Sequence, residues 1–200
     1  MKKMNNGGEL FVITGPSGVG KATVLSRLLK NIDNVYVSIS ATTRKPRQGE
    51  VNEKDYFFME REEFEKLIKE GKFLEYAEYV GNYYGTPAGS VNEMLKNGKD
   101  VILEIEVQGA LKVKEKCPDA NMVFIIPPSF SALEFRLRSR GTESDDVIAK
   151  RLEKARSEYL MVDKYDYIVI NDDIDKAADE IRAIIMSSRC KKDKRKNLLR

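Results

Sequence analysis

Glu9-Leu10-Phe11-Val12-Ile13-Thr14 runs directly into Gly15-Pro16-Ser17-Gly18-Val19-Gly20-Lys21-Ala22-Thr23, and a helical run from Thr23 to Lys30 follows. A short apolar strand that breaks into a glycine-rich turn and then opens a helix is the setting of a phosphate-binding loop. The turn matches Gly-x-x-x-x-Gly-Lys. Its glycines let the backbone wrap closely, so that successive amides and the helix N-terminus point at one anion, while Lys21 adds a charge for the outer phosphates. Gly15, Pro16, Ser17, Gly18, Val19, Gly20, Lys21, Ala22 and Thr23 are therefore the expected cradle of a nucleoside triphosphate. The strict motif places Ser or Thr directly after the lysine, to serve a metal; this chain has Ala22 there and Thr23 one residue later. Either Thr23 supplies the hydroxyl, or Mg2+ is held mostly by phosphate oxygens and water.

Outward from this unit, strand and helix patterns alternate. Val35 to Ile39 reads as a strand, and Ser40 to Lys54 as a polar, proline-containing loop. Asp55 to Thr86 has a different texture: Tyr56 to Met59 and Phe73 to Val80 are strand-like, Glu62 to Lys69 is a short amphipathic helix, and tyrosines crowd the segment. Alternation then resumes, with helices at Ser90–Asn97, Gly109–Lys116, Ser131–Ser139, Asp145–Val162 and Ile174–Ser188, and strands at Val101–Glu106, Met122–Pro127 and Tyr167–Ile170. The pattern predicts an α/β fold, a parallel sheet flanked by helices, with a small strand-rich insert. The expected division is one domain over 9–188, its core at 9–39 and 88–188, the insert at about 40–87, a helical lid at about 129–155, and flexible termini at 1–8 and 189–200.

Composition excludes several classes. At 42% hydrophobic and 34% charged, the 200 residues read as a soluble globular chain, and no apolar run reaches the roughly 20 residues of a membrane span. The polar start, Met1 to Gly8, lacks a secretory core, so a cytoplasmic location is expected. Cys117 and Cys190 stand far apart and read as plain thiols. Histidine is absent, which removes imidazole acid–base chemistry and imidazole metal sites. The net charge of +3 suggests a polyanion partner until it is located: Arg189 to Arg200 holds seven basic residues and one acid, which leaves residues 1–188 at −3. No nucleic-acid or membrane partner is expected.

Three further segments carry a family signature: Ser40-Ala41-Thr42-Thr43-Arg44-Lys45-Pro46-Arg47-Gln48-Gly49-Glu50, Asp55-Tyr56-Phe57-Phe58, and Gly81-Asn82-Tyr83-Tyr84-Gly85-Thr86. With the loop they make the chain resemble the guanylate kinase family from about Glu9 to Ser188. Related kinases use Gly-Lys-Gly-Thr loops, so Ala22-Thr23 looks like a tolerated variant. The resemblance implies transfer of phosphate from ATP to GMP, and to dGMP as well, in purine nucleotide metabolism and GMP recycling. Arg44, Arg47, Tyr56 and Tyr84 would hold the GMP phosphate, with Glu50 in the same loop, while Ser40, Glu75, Thr86 and Glu106 would face guanine. The chemistry agrees with that division: two arginines three apart in a proline-braced loop can fork onto one phosphate. A carboxylate such as Glu75 accepts from guanine N1–H and the 2-amino group, and adenine offers neither donor.

Glu104 and Glu106 are two apart at the end of an apolar strand pattern, so both are expected on one face, at the carboxyl edge where ligands of parallel sheets bind. Glu106 is assigned to the base and Glu104 to the metal, with Thr23 the other candidate ligand. Arg136 and Arg140 share a helix face, Arg138 lies between them, Gly141 breaks the helix, and Thr142 with Asp145 fits a capping box. That reads as a hinged basic flap, or as a salt-bridged surface helix given Glu134, Glu143 and Asp146. The resemblance assigns Arg136, Arg140 and Arg151 to the donor phosphates and the transferring group, alongside Lys21 and Arg44, and Asn171 to the donor base. Phosphoryl transfer needs positioning and charge neutralisation rather than a covalent intermediate, so the lack of histidine is no obstacle. A rival reading, a guanylate-kinase-like peptide-binding module without ATP, is opposed by Lys21 and the lid arginines. The expected assembly is a monomer or a homodimer.

Overall fold

Strand β1, Leu10–Thr14, is buried at every position and feeds two cores, because successive strand side chains point to opposite faces. Phe11 and Ile13 pack with Val24, Leu25 and Leu28 of α1 (Lys21–Leu28) and with Ala177, Ile181 and Ile185 of α7 (Ile174–Arg189). Leu10 and Val12 pack on the other face with Val91 of α3 (Ala88–Lys96) and with Ala110 and Val113 of α4 (Val107–Lys116). Each large side chain taken from water here is worth about 1.5–3 kcal/mol. Burial on both faces is why β1 reads as an unbroken apolar run. This computed structural model describes residues 7–79, 81–139, 141 and 143–195.

The main sheet has the order β2 (Val35–Val37), β7 (Asp100–Glu104), β1, β8 (Asn121–Ile126), β9 (Tyr167–Ile170). All its pairings are parallel. The loop at Gly15, the residue Glu104 and the residue Asn171 therefore gather at the carboxyl edge, the ligand-binding edge of such sheets. Between β8 and β9 the chain makes α5 (Phe130–Arg138) and α6 (Asp145–Tyr159).

A second sheet, ordered β4 (Phe57–Phe58), β3 (Ala41–Thr42), β6 (Asn82–Pro87), β5 (Phe73–Tyr79), has its own small core. Phe64 of α2 (Arg61–Lys69) is fully buried and stacks between Phe73 and Tyr83, at ring-centroid distances of 4.3 and 5.2 Å. Aromatic stacking lets a thin layer bury much area with few residues.

Several expectations are corrected. The stretch from Ser40 is not all loop, because Ala41 and Thr42 pair with both β4 and β6; two residues are too few to show a period. Asn82–Pro87 is a full strand of a hairpin with β5. Strand β7 ends at Glu104, and Glu106 instead sits at the N-cap of α4. Val80 and Thr142 lie outside the described residues, as do 1–6 and 196–200. Two described residues at the inner ends of the expected termini make contacts with the core. The amide of Gly8 donates to Leu95 O at 2.8 Å, and Arg189 still belongs to α7, where its Nε donates to Asp100 Oδ2 at 2.7 Å. Asp100 is only 4% exposed, and a carboxylate so removed from water requires such a partner. A short helix α8, Lys192–Arg195, follows.

Candidate active site

Gly20 holds the N-cap of α1 at φ 94°, a left-handed conformation that suits glycine. A Cβ added there would stand 2.7 Å from Asn171 Nδ2. No side chain caps α1, so its first amides face outward as donors for an anion. Gly15, Pro16 and Val19 are buried, Ser17, Gly18, Gly20 and Lys21 are half-buried, and Ala22 and Thr23 are exposed. Lys21 Nζ donates to Gly15 O at 2.6 Å and reaches Pro16 O at 3.4 Å. Burial lowers the pKa of its ammonium, and the nearby carboxylates of Glu106, Glu104 and Glu158 pull it back up.

The second sheet assembles a cationic and aromatic cluster. Both oxygens of Glu50 accept from the Arg44 guanidinium, at 2.9 and 2.8 Å, and Glu50 also accepts from the Arg47 amide at 2.7 Å. Those bonds, Arg44 first, hold the Glu50 carboxyl at a pKa of about 2. The guanidinium of Arg44 lies 5.3 Å from the centroid of the Tyr56 ring. Tyr56 meets Tyr84 edge-on at 6.2 Å, and burial raises the pKa of its hydroxyl against the opposing charge of Arg44. Arg44, Glu50, Tyr56 and Tyr84 thus form one group. Arg47 joins it through its backbone, and its side chain is exposed.

Deeper in this sheet Glu75 is 6% exposed and register-paired with Thr86, whose Oγ1 donates to it at 2.7 Å. Gly109 of α4 abuts Glu75 so closely that a Cβ would fall 2.7 Å from Oε2. Burial raises the pKa of Glu75, and the Thr86 hydrogen bond, then Lys112, oppose the rise. Ser40 is half-buried beside β3, its carbonyl accepting from the Phe57 amide at 2.9 Å.

Glu104 ends β7 half-buried, and burial lifts its pKa against the charge of Lys21. Glu106, by contrast, is exposed and accepts from Lys154 Nζ at 2.5 Å. The two carboxylates therefore do not leave one strand face together, because the chain has already turned into α4 at Glu106.

Helix α5 lies on the loop: a Cβ on Gly18 would meet Leu137 Cδ2 at 2.6 Å. Arg136 donates to Val19 O at 3.3 Å and to Asn171 O at 2.8 Å. Arg151 of α6 donates to Ser17 Oγ at 3.0 Å and pairs with Glu143. Arg138 pairs with Glu134 and Asp145, as in a salt-bridged surface helix, whereas Arg136 and Arg151 reach the phosphate loop. Arg140 lies outside the described residues. Asn171, expected at the donor base, is 3% exposed and braces the loop, its Nδ2 donating to Val19 O at 2.7 Å. Its Oδ1 is buried without a hydrogen bond among the described residues.

Lys154 and Glu158 have no place among the sequence expectations, yet Lys154 pairs with both Glu106 and Glu158. Their i,i+4 spacing on the helix of Arg151 was the available signal.

The sequence model of the guanylate kinase family matches residues 7–188. The chain is 52% identical over 187 residues to the guanylate kinase of Halalkalibacterium halodurans, covering 94% of this chain and 92% of that protein. It is 53% identical over 191 residues to the guanylate kinase of Lactococcus lactis subsp. lactis, covering 96% and 93%. The crystal structure of guanylate kinase from Anaplasma phagocytophilum superposes with a TM-score of 0.77 at 35% identity, covering 94% of this chain and 90% of that one.

Proposed function

The chain belongs to the guanylate kinase family, and from that premise we propose how its side chains divide the work. It is a nucleoside monophosphate kinase that converts ATP and GMP to ADP and GDP. A GMP phosphate oxygen attacks the γ-phosphorus as the bond to the β–γ bridging oxygen breaks, and ADP leaves.

ATP lies on the loop from Gly15 to Thr23. Lys21, whose ammonium curls onto Gly15 O, extends to the outer phosphates, where the anion compensates its burial. Arg136, Arg140 and Arg151 cover the transferring group from the lid, and Asn171 acts through the loop it braces as well as toward the donor base. Arg44, Arg47, Tyr56 and Tyr84 receive the GMP phosphate, with Glu50 holding Arg44 in a fixed orientation. Guanine is read by Glu75, Thr86, Ser40 and Glu106. The observation that carries the acceptor assignment is the buried Glu75, oriented by the Thr86 hydroxyl and closed off by Gly109.

The units that move are the lobe at about 40–87 and the lid at about 129–155, on a core of 9–39 and 88–188. Their closure aligns the reacting atoms and keeps water from the γ-phosphate.

Mg2+ fits this donor set modestly. Among the described residues no three Asp, Glu, Cys or His side chains gather into a metal cage. An ion that binds chiefly through phosphate and water needs none. Glu104, beside Lys21, would orient a bound water, and Thr23 of α1 would offer a hydroxyl. The ion would neutralise phosphate charge.

Among the described residues no helix is long and apolar enough to cross a membrane. We assign the enzyme to the cytoplasm, acting on free nucleotides as a monomer or homodimer, without nucleic-acid or membrane partners. ADP formation from ATP should be rapid with GMP, measurable with dGMP, and lower by about 10⁴ with AMP or UMP, because the wrong base leaves a buried carboxylate unpaired. Turnover with AMP and none with GMP would overturn the assignment.

A further inference from the structure

Lys154 stands on α6 three residues beyond Arg151, one helical turn along the same side. Its Nζ lies 2.5 Å from Glu106 Oε2, 3.6 Å from Glu158 Oε1, and 5.8 Å from the centroid of the Tyr79 ring. One ammonium therefore joins the lid-bearing helix α6 to the start of α4 and to strand β5 of the acceptor lobe. On the same helix Arg151 reaches the phosphate loop at Ser17.

We propose that Lys154 is a positioning residue that holds Glu106 for the acceptor nucleoside and ties that carboxylate to the helix carrying Arg151. The proposal rests on the reading above that Glu106 faces the acceptor. Its physical need is plain: Glu106 is exposed at the head of α4, on a side chain with several rotatable bonds. Left alone, its carboxylate would sample many rotamers and would have to be ordered at the moment of binding, a cost in affinity. Lys154 has met that cost before the acceptor arrives. Glu158, 7% exposed, backs the ammonium from behind, and Lys154 is the cation set beside it. Burial raises the pKa of the Glu158 carboxyl and Lys154 draws it down again.

The Lys154 and Glu106 side chains are 48% and 60% exposed, so their pair contributes little to stability. Its effect is on kinetics. In steady-state assays, Lys154→Gln should raise KM for GMP about three- to fivefold and lower kcat by a similar factor, while KM for ATP changes by less than about twofold. Lys154→Arg should recover most of the loss, and the melting temperature of both variants should match that of the parent. Glu106→Gln should also raise KM for GMP, and the double variant should be no worse than the poorer single one, since the two act as a unit. Raised KM for GMP in Glu106→Gln with none in Lys154→Gln would overturn the latch and leave the acceptor reading standing. Unchanged KM in Glu106→Gln would overturn the acceptor reading and the latch with it. Additive losses, failure of the Arg variant to recover activity, or a KM change tracking a fall in melting temperature would each overturn the latch alone.

Discussion

In the proposed division, the loop on the donor side offers peptide amides and one ammonium, supplied by a single turn between β1 and α1. The proposed acceptor side instead offers side chains of the second sheet and its loops, of which Arg44 is held by Glu50 and Glu75 by Thr86. A backbone cradle is fixed once the turn is made, since Asn171 and Arg136 both bond Val19 O. A side-chain pocket is fixed only when every pairing is made. The first should therefore yield to loss of charge, and the second to small changes in hydrogen bonding.

The sharpest break between them is Lys21→Met. Turnover should fall by about 10³ or more, as befits loss of a preorganised charge at the transferring group, while calorimetry still records GMP binding near the parental affinity. Parallel loss of GMP binding would erase the division between the two sides.

Glu75→Gln tests the other half. Its kcat/KM for GMP should drop by about 10², yet the protein should melt about 2–4 °C higher at neutral pH, equivalent to about 1 kcal/mol. The sign follows from the raised pKa of Glu75. Stability linked to such a group is complete below the ordinary carboxylate pKa and is lost as pH rises through the folded value. Gln escapes that loss, so its advantage should vanish in acid. A variant that melts lower at neutral pH would show that the carboxylate is structural.

The smallest effect concerns Glu50. Followed by NMR, its carboxyl should titrate near 2 and return toward the ordinary value of 4.5 in Arg44→Ala. Because its pKa is depressed, the pair's contribution is present above the ordinary carboxylate range and is lost as pH falls toward 2. A midpoint unmoved by Arg44→Ala would detach the pair.

The same contrast explains what could be read from the chain. The donor side lies in one uninterrupted stretch, and its strand, turn and helix stand where Gly15 to Thr23 put them; so do the alternating elements of the main sheet. The acceptor lobe yielded its residues through family resemblance and not through pattern. Strands as short as Ala41–Thr42 have no period, and in Asn82–Pro87 the crowding of Tyr83, Tyr84 and Gly85 hid the pairing with β5. Glu106 was misplaced because apolar Ile105 prolongs the strand pattern past its true end. Lys154 was missed since its pair with Glu106 depends on where the fold places α6 beside the head of α4, and the i,i+4 spacing to Glu158 does not encode that.

The carbonyl of Val19 accepts from two donors that arrive from different parts of the chain, Arg136 of α5 and Asn171 beyond β9. Carbonyl carbon resonances shift with hydrogen bonding, so one isotope label at Val19 would serve as a spectroscopic gauge. Departure of α5 would move its signal by the Arg136 share alone, and loosening at the end of β9 by the share of Asn171. Any motion of α5 and the integrity of the loop would then be timed separately, from a single atom and without altering a residue.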